Sequence, residues 1–191
     1  MLVMNIDINI RHGILCVNCP YNSEFVAASK ILGGRWNAPL WIFDPREEQK
    51  VRDLCYRVYG TDGIKEPDLL TVRAKFGPDN DVRQAPIEIF GRTIARAWGK
   101  DSGVKLGEGV VLSSGGFFSG GNTKNWETKA EAGTEVLITG IPRHRVEEMI
   151  KSGAKWLSIE SDNLPVDRKA LKAERRRLVK RIAEIDARLS A

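Results

Sequence analysis

Leu32-Gly33-Gly34-Arg35-Trp36-Asn37-Ala38-Pro39-Leu40-Trp41-Ile42-Phe43-Asp44-Pro45-Arg46-Glu47 holds a helix stop, a hairpin and the start of a second helix in one short run. Phe25, Ala28 and Leu32 recur at helical spacing behind a cap at Asn22 or Ser23, and Gly33-Gly34 supplies the left-handed residues that end such a helix. Residues 35–38 and 40–43 read as a short hairpin across Pro39. Asp44-Pro45-Arg46-Glu47 then reads as an N-cap, a first-turn proline and a capping-box glutamate. The helix that follows carries Val51, Leu54, Cys55 and Val58 on one face and stops at Gly60.

Upstream, residues 5–10 and 14–18 alternate apolar and polar side chains around Arg11-His12-Gly13, the pattern of a hairpin. Residues 1–60 thus predict a small α+β recognition module with the order ββαββα. Residues 61–67 read as a linker. Beyond them, residues 69–76, 87–98, 109–113 and 135–139 are strand-like, and eleven glycines lie between Gly91 and Gly140 to serve corners and bulges. The expectation for residues 61–164 is an antiparallel, β-rich, barrel-like domain. It includes a short helix begun by Pro142, bearing Val146, Met149 and Ile150 and ended by Gly153, with a strand over residues 155–159.

Residues 165–191 read as a basic amphipathic helix, with Leu171, Leu178 and Ile185 repeating every seven residues, Ile182 and Leu189 on the alternate seam, and Arg175 interrupting. Such a stripe needs a partner because an isolated helix of this length is marginal in water. The body of the protein and a second copy, giving a homodimer through residues 165–191, are both open.

The hydrophobic share of 42% and charged share of 29% are those of an ordinary globular chain. Apolar runs such as Val110-Val111-Leu112 are strand-length, well short of the roughly 20 residues that cross a bilayer, so no membrane segment is expected. The N-terminus lacks a secretory pattern and the three cysteines are an odd number, which together predict a cytoplasmic, reduced protein. The net charge of +5 is not spread evenly. Residues 1–60 carry 7 basic and 6 acidic groups, residues 61–164 carry 14 and 15, and residues 165–191 carry 9 and 4. Attraction to phosphate should therefore concentrate on the last segment, at Lys172, Arg176, Arg177 and Lys180 among others. A solvated charged face would have the same composition.

Catalytic signatures are missing from the sequence, and no cofactor is expected. Cys16-Val17-Asn18-Cys19 has a metal-pair spacing that His12 and Cys55 could complete, but three residues along a strand place Cys16 and Cys19 on opposite faces. His144, in Pro142-Arg143-His144-Arg145, stands in the first turn of a helix, where clustered cations oppose the dipole and should face solvent or an anion. The loop from Gly115 through Phe117, Phe118, Lys124 and Trp126 lacks phosphate-loop spacing. It offers the mixture of rings and a cation on which bases stack, or alternatively a hairpin lid over the protein's own core.

Tyr21, Phe25, Leu32-Gly33-Gly34-Arg35-Trp36 and Trp41-Ile42-Phe43-Asp44 resemble the HARP module of annealing helicases and similar small modules of bacterial mobile-element proteins. The resemblance spans about residues 21–59 and implies recognition of single-stranded or branched nucleic acid through Arg35, Trp36 and Trp41. The chain shows no helicase motor and the module is nearly neutral; Trp36 and Trp41 could equally be cross-strand core partners. The functional expectation is a non-enzymatic nucleic-acid-binding protein of phage or mobile-element type. Its contacts with DNA or RNA would come from Arg35, Trp36, Trp41, Phe117, Phe118, Lys124, Trp126, Arg143, Arg145 and the basic tail. The alternative is a protein-docking inhibitor or adaptor that engages a host complex such as a CRISPR-type defence nuclease.

Overall fold

Two antiparallel hairpins laid side by side begin the fold. β1 (Asp7–Arg11) and β2 (Ile14–Asn18) are joined by His12-Gly13, both at positive φ, with Arg11 opposite Ile14. That is the primed two-residue turn whose twist matches antiparallel strands. β3 (Arg35–Asn37) and β4 (Leu40–Phe43) form the second hairpin, and the sheet order is β1-β2-β4-β3. Leu15, Val17, Trp41 and Phe43 share the inner face, as the strand period of two requires. Against it pack α1 (Ser23–Ile31), through Phe25, and α2 (Glu48–Tyr59), through Val51, Leu54, Cys55, Val58 and Tyr59. The ββαββα order expected for this half is present.

Local signals act as expected except at two points. Gly33 takes the left-handed conformation after α1, whereas Gly34 does not; a side chain there would collide with the Phe43 ring and the Ser29 carbonyl. Asp44 caps a 3₁₀ turn, Pro45–Glu47, and Glu47 pairs with Lys50 at 2.8 Å rather than closing a capping box. Residues 61–67 are no loose linker. Thr61 is buried, Asp62 accepts from the Ile64 and Lys65 amides, and the Asp62 carbonyl accepts from Arg52.

The second half comprises β5 (Leu69–Lys75), β6 (Val82–Arg83), β7 (Ile87–Ile89), β8 (Arg92–Arg96), β9 (Lys105–Leu106), β10 (Val110–Ser114), β11 (Phe117–Gly121), β12 (Trp126–Ala130), β13 (Glu135–Pro142), α3 (Arg143–Lys151) and β14 (Leu157–Ile159). The computed structural model describes residues 6–78 and 80–160, so the expected tail helix, with Lys172, Arg176, Arg177 and Lys180, lies outside the described residues.

The α+β class holds, and among the described residues no barrel closes. The strands form three open antiparallel sheets, β10-β13-β5-β14, β11-β12-β6 and β7-β8-β9. Positive-φ glycines at 91, 109, 115, 121 and 133 turn the chain sharply, and a register shift between Leu112 and Ser114 loosens the end of β10. Each ladder thus ends before it can join the next. The expected strand over residues 87–98 is itself a hairpin turned at Phe90-Gly91. One core serves all three sheets, built from Val72, Ala74, Ile87, Ile94, Ala130, Val136, Ile138 and Ile141 with Val146 of α3. It and the N-terminal core belong to a single compact unit, Met1–Glu160.

Candidate functional site

Trp36 and Trp41 are direct cross-strand partners on the inner face of the N-terminal sheet, yet their environments differ because β3 is the edge strand. Trp41 is 7% exposed and Trp36 is 54% exposed. A row of rings runs outward from the core. Tyr59 lies 5.4 Å from Phe25, Phe25 meets Trp41 edge-on at 6.0 Å, and Trp41 lies 5.7 Å from Trp36. Trp41 was a candidate contact residue in the sequence; its indole is mostly committed to packing, because β4 sits inside the sheet between β2 and β3.

Beside Trp36 the surface opens into a pocket of about 380 Å³ lined by Cys19, Pro20, Tyr21, Asn22, Phe25, Val26, Lys30, Trp36 and Trp41. The α1 face is simple to account for. Asn22, Val26 and Lys30 are spaced four residues apart and share one side of the helix. Tyr59 seats the opposite end by donating its hydroxyl to the Pro20 carbonyl at 2.7 Å. Burial pushes the Cys19 thiol up to about 11, with the Tyr59 hydroxyl partly offsetting it, so this wall is uncharged at neutral pH. Lys30, at the rim, forms no ion pair among the described residues.

Arg35 does not join the pocket. It sits opposite Ile42, one residue from Trp36 and therefore on the other face of β3. Lys30 and Tyr21 take the place expected of it. Neither residue stood among the sequence candidates as a binding contact, although the four-residue spacing of Asn22, Val26 and Lys30 was readable.

The glycine-rich loop is a regular hairpin. Phe117 faces Ala130 and Gly121 faces Trp126, so Phe117 and Trp126 share one face while Phe118 takes the other. Phe117 packs edge-on against Phe76 at 5.4 Å and covers the core, and Trp126 is half-buried. Phe118 is exposed, but the cation opposite it, Lys129, is held by Asp81 at 2.8 Å and Glu127 at 3.1 Å. Lys124 is exposed at the hairpin tip, where its carbonyl accepts from Gln84.

The α3 cations are engaged by partners within the chain, Arg143 on the exposed surface and Arg145 half-buried. Arg143 pairs with Asp68 at 2.7 Å, and Arg145 reaches Glu24 at 2.7 Å while lying 4.9 Å over the Phe90 ring. His144, expected to face solvent or an anion, instead stacks on Tyr56 at 5.1 Å and donates from Nε2 to the Arg57 carbonyl at 3.2 Å. The first turn of α3 lies against α2, and that contact decides the orientation. Cys16, Cys19 and Cys55 are free thiols, and no group of three or more metal-ligating side chains occurs among the described residues. No helix there is long and apolar enough to cross a membrane.

Comparison with protein-family models, with curated proteins and with solved structures finds no match for this chain.

Proposed function

We propose that this chain binds single-stranded or branched nucleic acid, with an unpaired base entering the pocket beside Trp36 and the adjoining phosphate meeting Lys30. The observation that carries this reading is Trp36 itself. A half-exposed indole, backed by the buried Trp41 at 5.7 Å and set at the mouth of a cavity large enough for a flat ring, is a stacking platform beside a lysine that no described carboxylate neutralises. Stacking suits unpaired bases because a duplex hides their faces. The resemblance of residues 21–59 to the HARP module points the same way. The nine basic and four acidic residues of segment 165–191 would add phosphate attraction, which the nearly neutral module lacks. On this reading the protein recognises DNA or RNA without catalysing a reaction on it, as suits a phage or mobile-element protein working in the cytoplasm.

A second reading rests on a separate observation. Ile31 is 85% exposed, and Cys19, Pro20, Phe25 and Val26 give the pocket an apolar wall that suits a side chain of a host protein complex. Titration of the full chain into labelled single-stranded and forked DNA at low and moderate salt separates the two. Binding that weakens with salt and by about tenfold in Trp36→Ala supports the nucleic-acid reading. No binding at either salt discards it in favour of the protein-docking one.

A further inference from the structure

Trp98 stands at the tip of the β8–β9 hairpin and is 53% exposed. Arg96 lies two residues before it, and Lys105 is paired with Arg96 across the ladder. Both cations lie over the Trp98 ring, the Arg96 guanidinium carbon 5.5 Å and Lys105 Nζ 5.7 Å from its centre, as cation–π contacts. Among the described residues, neither cation nor the neighbouring exposed Lys100 forms an ion pair. The contrast with other cations of these sheets is sharp: Arg73, Lys75 and Lys129 all meet carboxylates.

The backbone holding this ring is fixed from both sides. The Trp98 and Gly99 amides donate to Ser102 Oγ at 2.9 and 3.1 Å, and that hydroxyl lies within hydrogen-bonding distance of the Gly99 and Gly103 carbonyls, which share its one proton. One residue earlier, the buried Ala97 amide donates to Thr128 Oγ1 at 3.1 Å, whose hydroxyl donates to the Ala85 carbonyl at 2.8 Å. A rigid loop thus holds an apolar ring half in water, where it serves the core little. A ligand that meets such a ring loses little loop freedom on binding.

We propose that Trp98, Arg96 and Lys105 form a second nucleotide site, in which an unpaired base stacks on the indole and the two cations meet its flanking phosphates. This rests on the reading of the chain as a nucleic-acid binder, and it adds a site remote in sequence from the Trp36 pocket. A flat ring carrying two cations that have no carboxylate partners among the described residues fits the two parts of a nucleotide: the anionic backbone draws the cations aside and the base takes the ring face they leave. An apolar protein side chain would displace both cations from the ring and bring them no anion.

The test is fluorescence anisotropy of the full chain with a labelled single-stranded deoxythymidine homopolymer across a salt series, for the unaltered protein, W98A, W98F, W36A and the double variant R96Q/K105Q. Far-UV circular dichroism checks that each keeps its fold. Expected are a loss of about tenfold in W98A, near-retention in W98F, and a log-affinity against log-salt slope shallower by about 1.4 in R96Q/K105Q, at about 0.7 for each phosphate no longer neutralised. W98A binding like the unaltered protein while W36A is weakened overturns the Trp98 site and leaves the pocket standing. The reverse pattern keeps the Trp98 site and overturns the pocket. An unchanged salt slope in R96Q/K105Q overturns the assignment of the cations, and failure of the unaltered chain to bind the strand overturns both sites.

Discussion

Asn22 donates its side-chain amide to the Phe90 carbonyl, 2.9 Å away and 68 residues later in the chain. The same side chain starts α1, because its Oδ1 accepts from the Glu24 and Phe25 amides at 3.0 and 3.1 Å. Phe90 belongs to the second core, where its ring is enclosed, and it holds positive φ in the β7–β8 turn. The Ser23 amide donates to the adjacent Gly91 carbonyl at 2.9 Å, so the start of α1 is bonded to the turn of the other core at both Asn22 and Ser23.

Asn22→Ala should lower stability by about 1 to 3 kcal/mol, since a lost helix cap adds to the loss of one of the two hydrogen bonds at the Phe90 carbonyl, which keeps the Arg145 guanidinium at 3.3 Å. Asn22→Asp is the sharper test. As caps the two residues are equivalent, but the carboxylate cannot donate to Phe90 and would face its oxygen. Urea unfolding should show Asn22→Asp destabilised by at least about 1 kcal/mol. A midpoint equal to the unaltered protein's would mean that the link between cores contributes nothing.

Ser29 predicts the opposite sign. Its hydroxyl, on α1, is fully enclosed and has no hydrogen-bond partner among the described residues. Ser29→Ala removes that unpaired group and introduces the best helix former, so stability should rise by about 1 kcal/mol. Thermal melting checks this, and a lower midpoint would point to a partner for the hydroxyl.

What the sequence made legible was local. The Asn22 cap, the His12-Gly13 turn, the Pro39 hairpin and the Val51-Leu54-Cys55-Val58 face each follow from residues close together, whose propensities and periodicity tertiary packing did not override. Strand parity was legible too, and it separates Arg35 from Trp36 and joins Arg96 to Trp98. Contacts that arise only after distant segments meet were not. Arg145 with Glu24 and His144 with Tyr56 changed exposed-looking cations and a histidine into packing groups. Pro45 likewise favoured a tight 3₁₀ turn that left Glu47 outside any capping box. Open sheets and a closed barrel share the same glycine-rich pattern, because closure depends on which edges meet.

Alkaline pH should weaken the N-terminal core. Burial raises the Cys19 thiol from 9.0 to about 11, and burial first, then the neighbouring Cys19, also raises Tyr59. Between pH 9 and 11 the unfolded chain releases the Cys19 proton while the folded chain keeps it, so the folded state binds more protons and stability falls as pH rises. The contribution is complete below pH 9 and disappears by about pH 11, on the order of 3 kcal/mol for this thiol. Urea midpoints measured across that window should fall, and Cys19→Ala should flatten part of the fall. Equal slopes in both proteins would remove Cys19 as a cause.

Trp36 and Trp41 face each other across one ladder, yet truncating them should have separate consequences. Trp41 is enclosed among Phe25, Phe43 and Val17, so Trp41→Ala opens a cavity and should cost about 3 to 5 kcal/mol. Trp36 ends the row at an edge strand and has one side in water; Trp36→Ala should cost about 1 kcal/mol of stability while weakening strand binding by about tenfold. Urea unfolding and anisotropy on the same two variants separate packing from recognition. Comparable destabilisation by both would make Trp36 a core residue and remove the stacking platform on which the pocket depends.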